Sequence, residues 1–121
     1  MRFMIMVKEG ENPPDRPPTS AEIAAMGKLN KEMQEAGVLL ALEGLMPSKF
    51  STRVKFTGKQ RKVMDGPFSE TKELIGGFWI IEVPDKQTAL DWAHRIPFSD
   101  GEDVEIRRVA EPGDFDYNEV S

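Results

Sequence analysis

The chain contains no cysteine. Disulfide frameworks, thiolate zinc sites and thiol nucleophiles are therefore excluded, and a reducing, cytoplasmic setting is expected. It has one histidine, His94. With no cysteine and no clustered His/Asp/Glu spacing beside it, the pattern argues against a metal site, and no cofactor is expected. Long apolar runs are missing too. None approaches the roughly 20 residues that span a bilayer, and the apolar stretch in MRFMIMVKEG is too short for the core of a signal peptide. It reads as an opening strand, and no membrane partner is expected.

A surplus of positive charge is also lacking. Sixteen lysines and arginines face 21 acids, for a net charge of -5. Glu111, Asp114, Asp116 and Glu119 lie within EPGDFDYNEVS, an acidic tail over 111–121, so the body of the chain is nearly neutral. That distribution argues against nucleic acid as a partner. One stretch runs the other way: RVKFTGKQRK carries Arg53, Lys55, Lys59, Arg61 and Lys62 with no acid among them. The expected role of these cations is to keep a solvated hairpin from edge pairing, in preference to holding an anion.

At 121 residues the chain is about one domain long and can bury a core without covalent staples. RFMIMVK, residues 2 to 8, is an apolar run of strand length. GENPPDRPPTS then packs four prolines and a glycine into eleven residues, which makes 9–18 a Pro-rich loop. Thr19 and Glu22 have capping-box spacing, Ile23, Met26, Leu29 and Met33 recur at helical steps, and Gly37 is a left-handed terminator; together they predict a helix over 20–36. VLLALEGL, 38–45, is a strand interrupted only by Glu43. STRVKFT and QRKVMD flank Gly58 and Lys59, which predicts a hairpin over 52–65 with one wet face. Gly76 and Gly77 precede the strand FWIIEV, Asp85 caps a helix over 86–95, and DVEIRRVA closes the series.

This order predicts an α+β fold, the ferredoxin-like βαββαβ antiparallel sheet with two helices on one face and an extra β-hairpin near residues 52–65. FMIMV and FWIIEV, apolar on both faces, belong at the sheet's centre. Helices on one side leave the other face uncovered, and a second copy of the chain is the simplest cover, so a homodimer is expected.

The segment MDGPFSETKELIGGFWIIEVPD resembles the DGPF family within the YCII-related proteins. Further similarity lies in RFMIMVK, AGVLLALEGLMP, ALDWAHRIP and VEIRRV, so it spans residue 2 to about 109, within a single domain of 1–121. The Pro-rich loop and acidic tail fall outside it. The resemblance implies a ferredoxin-like dimeric α/β-barrel, a pocket between sheet and helix where a histidine and an aspartate meet, and, for some relatives, a sigma factor as partner. TSAEIAAMGKLNKEMQEAG contains no histidine, so that dyad lacks its first member here.

The candidate site centres on Asp65, the acid of DGPF. In an apolar pocket it would act as a general base; as a turn residue it would hold backbone amides while Gly66 and Pro67 set the dihedrals. Lys72 is placed to neutralise an anionic substrate, Thr71 to donate a hydrogen bond and Glu73 to accept a proton; the plainer reading is a solvated polar loop. Glu43 interrupts an apolar strand and needs a partner, which Arg53, across a short loop, could supply as a salt bridge; the sharper reading is a pocket carboxylate. Gly76 and Gly77 admit a ligand close to the backbone or a bulge. Phe78 and Trp79 must point to opposite faces, one toward the helices and one toward a pocket or mate. His94, at a helix end, reads as a surface cap. Two functions follow: proton transfer on a small organic molecule with Asp65 as base, or a non-catalytic module that binds a small ligand or regulates a partner.

Overall fold

The apolar runs at the two ends of the sequence pattern pair with each other. In a computed structural model of the protein, which describes residues 1–9, 18–66 and 74–115, β1 (Arg2–Glu9) lies antiparallel to β5 (Leu74–Glu82). β2 (Leu39–Gly44) flanks β5 and β6 (Val104–Arg108) flanks β1, giving a four-stranded antiparallel sheet in the order β2-β5-β1-β6. β3 (Thr52–Thr57) and β4 (Gln60–Asp65) form a separate two-stranded sheet. With α1 (Ser20–Glu35) and α2 (Lys86–Ala93), the fold is α+β and compatible with a ferredoxin-like arrangement, with the two all-apolar strands in the centre as expected.

Alternation along the central strands creates two different faces. Phe3, Ile5, Trp79 and Ile81 are buried against Leu29 and Met33 of α1 and Ala89 of α2. The indole of Trp79 brings one polar atom into this layer, and its N–H donates to Asn30 Oδ1 at 2.8 Å. Removing such a bond costs about 1–3 kcal/mol, because the buried donor is left unpaired. Exposed pairs such as Lys31 with Glu35 on α1 contribute about 0.3–0.5 kcal/mol. Apolar burial and its one satisfied donor therefore dominate. On the opposite face stand Met4, Met6, Phe78 and Ile80, with Ala41 and Glu43 on β2 and Glu105 and Arg107 on β6. Of these Met6 is buried and Met4, Phe78 and Ile80 are half-buried, and none of the four belongs to the core cluster beneath the helices.

The helix ends follow local chemistry. Thr19 Oγ1 accepts from the Glu22 amide at 3.1 Å, and Gly37 has φ +73. Ile23, in the first turn of α1, is exposed, and the buried residues of that helix, Leu29 and Met33, lie in its second half. Asp85 Oδ1 accepts from both the amide and the hydroxyl of Thr88, which holds its carboxyl below the usual aspartate range. α2 is two residues shorter than expected. The Arg95 amide reaches back only three residues, to Trp92 O, so the last turn tightens before Pro97.

Gly76 and Gly77 lie inside β5 and do not merely precede it. The register pairs Val7 with Gly77 and Lys8 with Ile75, so Gly76 is the extra residue of a β-bulge. A Cβ on Gly77 would stand 2.9 Å from Glu43 O and 3.4 Å from Gly44 Cα, so β2 approaches β5 more closely than any side chain allows. Part of the acidic tail is also built into the fold. Arg2 Nε donates to Glu111 Oε1 at 2.9 Å, and the Arg108 guanidinium contacts both oxygens of Asp114 at 2.8 and 2.7 Å. Asp114 further accepts from the Glu111 amide, closing a turn over Pro112–Asp114.

Two predictions follow from these contacts. Gly77→Ala lowers unfolding free energy by about 1–3 kcal/mol, whereas Gly27→Ala, in α1 with open space around it, raises it by about 0.5–1 kcal/mol. Denaturant titration reads both, and equal effects would contradict the close approach. The bond to Arg108, with help from the Glu111 amide, holds the Asp114 carboxyl below its ordinary range. Its contribution is complete above the ordinary aspartate value of about 4 and is lost as pH falls through the lower folded value. Carboxyl NMR should give a midpoint below 4 that Arg108→Gln moves upward; an unmoved midpoint would remove the ion pair from the account.

Candidate functional site

The chain leaving β2 makes a compact turn at the foot of the hairpin. The Leu45 amide donates to Gly76 O at 2.9 Å, tying the exit of β2 to the bulge. Pro47 then starts a single helical turn, Ser48–Phe50, closed by the Phe50 amide on Pro47 O. The Glu9 carboxylate takes the Ser48 hydroxyl at 2.9 Å and the Ser48 amide at 3.3 Å. Ser51 Oγ donates to Ser48 O at 2.5 Å. Both serines are thus held in place by neighbours on the same turn or on β1.

The Asp-Gly pair of DGPF fastens the hairpin to this turn. The Gly66 amide donates to Ser51 O at 2.7 Å, and a Cβ on Gly66 would fall 3.1–3.2 Å from Ser51 O, Ser48 O and Ser51 Oγ. Only glycine fits without displacing backbone. Asp65 stands one residue before, exposed, and its Oδ1 accepts from Thr52 Oγ1 at 2.9 Å across the hairpin. The turn role expected of Asp65 thus includes a cross-strand bond.

Beside the turn lies a cavity of about 280 Å³, lined by Leu45, Met46, Pro47, Ser48, Phe50, Ser51 and Ile75. Its wall is mostly apolar, with the two serines as its polar members. That volume lies just below the range of ligand pockets, roughly 300–1,000 Å³, so it suits a molecule of a few heavy atoms or one ring. Leu45, Met46, Phe50 and Ile75 are all exposed large hydrophobics, and Val54, Phe56 and Val63 on the hairpin are exposed as well. Seven of the eleven such residues among those described therefore gather at this end of the molecule, a concentration that marks an interaction surface.

The other sequence candidates distribute as follows. Glu43, exposed on β2, pairs in register with Phe78 on the helix-free face. Phe78 and Trp79 do split between faces, with Trp79 on the helix side. Arg53 lies on β3 opposite Met64, next to the Thr52–Asp65 pair. Thr71, Lys72 and Glu73, like Pro67, lie outside the described residues. His94 is exposed at the C-cap of α2. Among the described residues, no three His, Asp or Glu side chains gather as a metal would require.

A family model for the YCII-related domain matches residues 1–112. The chain belongs to the YCII-related family. An uncharacterised protein, R00369 of Rhizobium meliloti (strain 1021), is 29% identical over 94 residues, which cover 74% of this chain and 76% of the relative. That relative carries no assigned activity, so the site of this YCII-related domain is argued from its own geometry. Among the described residues no helix is long and apolar enough to cross a membrane.

Sequence reasoning missed Glu9, Ser48 and Ser51. Glu9, expected to open the Pro-rich loop, is instead the last residue of β1, paired with Leu74, and from there its carboxylate reaches Ser48 in a linker that has no pattern in the sequence. The hairpin was expected to have one wet face, yet its apolar row is exposed too. Arg61 lies 4.5 Å over the Phe56 ring, a contact worth about 0.5–1 kcal/mol at an exposed site. Burying the ring would contribute about 1.5–3 kcal/mol, so the cation does not replace a partner. Glu9→Ala should cost about 1 kcal/mol of stability, the charged hydrogen bonds being discounted for partial exposure, while Glu9→Gln, which can still accept from Ser48, costs less. Thermal unfolding of both separates them, and equal losses would deny the carboxylate this role.

Proposed function

We propose that this YCII-related protein binds a small, largely apolar molecule in the cavity at the foot of the hairpin. The observation that carries the reading is the cavity itself: an apolar wall of Leu45, Met46, Phe50 and Ile75 around two pre-positioned serine hydroxyls. Apolar walls supply most of a ligand's binding energy, and a few fixed polar groups orient it. With their protons committed to Glu9 and to Ser48 O, the two hydroxyls can only accept from a ligand, so a small phenol or another apolar molecule with one O–H or N–H donor has the matching chemistry.

A second reading makes Asp65 a general base acting on such a molecule. The bond from Thr52 favours it, because it fixes a carboxylate one residue from the Gly66 amide that closes the serine turn. Under this reading Asp65→Asn keeps binding and abolishes turnover. The binding reading comes first because the cavity lining holds the serines and not Asp65.

The protein is further read as a homodimer built on the helix-free face of the sheet. Met4, Met6, Phe78 and Ile80 form a central apolar band there, bordered by Glu43, Glu105 and Arg107. Opposite charges at the border allow a two-fold mate to pair with it.

A thermal-shift screen of small phenols, with lactones and aromatic acids for comparison, tests the binding proposal. A ligand should raise the unfolding temperature by several degrees at concentrations far above its Kd, and Phe50→Asp should remove the shift. A shift unchanged by Phe50→Asp would place the ligand elsewhere. Light scattering should give twice the chain mass of 13.6 kDa at micromolar concentration; Ile80→Asp should return it to the monomer, and a monomeric wild type would contradict the dimer.

A further inference from the structure

Among the described residues the hairpin has no hydrogen-bonded strand neighbour outside itself, since β3 and β4 form a sheet of two. Such a hairpin is marginal in water unless something packs on it. Its register is Thr52 with Asp65, Val54 with Val63, and Phe56 with Arg61, and alternation puts all six side chains on one face. On that face Val54 is 50% exposed, Val63 65% and Phe56 69%. The two-residue loop has Gly58 at φ +58, the first position of a type II′ turn, which keeps the arm straight and in register.

This row of three pairs is complementary to itself. Rotation by a two-fold axis running across the strands at the Val54–Val63 level exchanges the Phe56–Arg61 pair with the Thr52–Asp65 pair. A cation at the tip is thereby laid over an anion at the foot, twice, and valines meet valines between them. We propose that the arms of two copies pack face to face in this antiparallel way. The partner subunit's Arg61 then meets Asp65, and the partner subunit's Phe56 comes to rest beside Thr52, over the turn that lines the cavity. Each subunit's site is completed by the other's arm. Arg61 has donors for this role: only its Nη1 is engaged at the tip, by Gly58 O and Gln60 O.

Six side chains per arm, only three of them apolar, fall short of the roughly 1,000 Å² that a stable interface buries. The arm contact therefore acts between chains already held together, and in this it rests on the sheet-face dimer proposed above. It adds a partner residue at Asp65, which that dimer alone does not supply.

The absence of cysteine makes the test direct. A single Val54→Cys chain, treated with a bismaleimide matched to the about 10 Å between stacked sheets, should give a covalent dimer in high yield. Lys31→Cys, on the exposed side of α1, should not. Adding Arg61→Glu to Val54→Cys should reduce linkage several-fold, and adding Asp65→Lys to that pair should restore it, which also shows that the loss did not come from unfolding of the arm. Linkage of Val54→Cys no greater than that of Lys31→Cys, or no restoration by the reversed pair, overturns the proposal. A dimeric mass by light scattering together with absent linkage refutes the arm contact alone; a monomeric mass refutes the sheet-face dimer as well.

Discussion

The pairing of β1 with β5 is the constraint on which the rest of the structure depends. Each strand is apolar on both faces, so each needs a strand on either side and cover above and below. Ile5 opposite Trp79 and Phe3 opposite Ile81 form the floor on which both helices sit. The edge strands are shorter and carry charge, Glu43 on β2 and Glu105 and Arg107 on β6, as strands beside solvent should. The second apolar face of the same central pair follows from the same composition and lies outside the core cluster.

The site depends on the far end of that pairing. The bulge at Gly76 shifts the register between β1 and β5, and its carbonyl receives the chain leaving β2. Glu9, at the last position of β1, reaches the Ser48 turn from below, and Gly66 closes on that turn from the hairpin. Three segments distant in sequence thus meet where glycine permits close backbone contact. Regular pairing ends at this junction, leaving hydroxyls, a carboxylate and exposed apolar side chains together.

Much of the fold was legible from residues alone. Hydrophobic period, capping spacing and the Gly58 turn placed every strand and both helices to within a few residues, because local chemistry and tertiary packing agree along those segments. The glycine pair shows the limit. Its two residues read as an entry to β5, and only the register reveals that one is a bulge and the other the point of closest approach to Glu43. The site was legible in part. Asp65 and Gly66 stood out as a turn, but which elements surround that turn is a long-range fact, so Glu9, Ser48 and Ser51 left no signal in the sequence. Ile23 shows the reverse error: its helical spacing is right, yet its side chain stays exposed.

Native-state hydrogen exchange tests the primacy of the central pair most directly. The slowest amides should lie in β1 and β5, around Ile5, Trp79 and Ile81, and should exchange only with global unfolding. Those of the hairpin and the C-terminal turn should open at lower free energy. Slowest exchange in α2 or in the hairpin, with β1 and β5 opening first, would contradict the account.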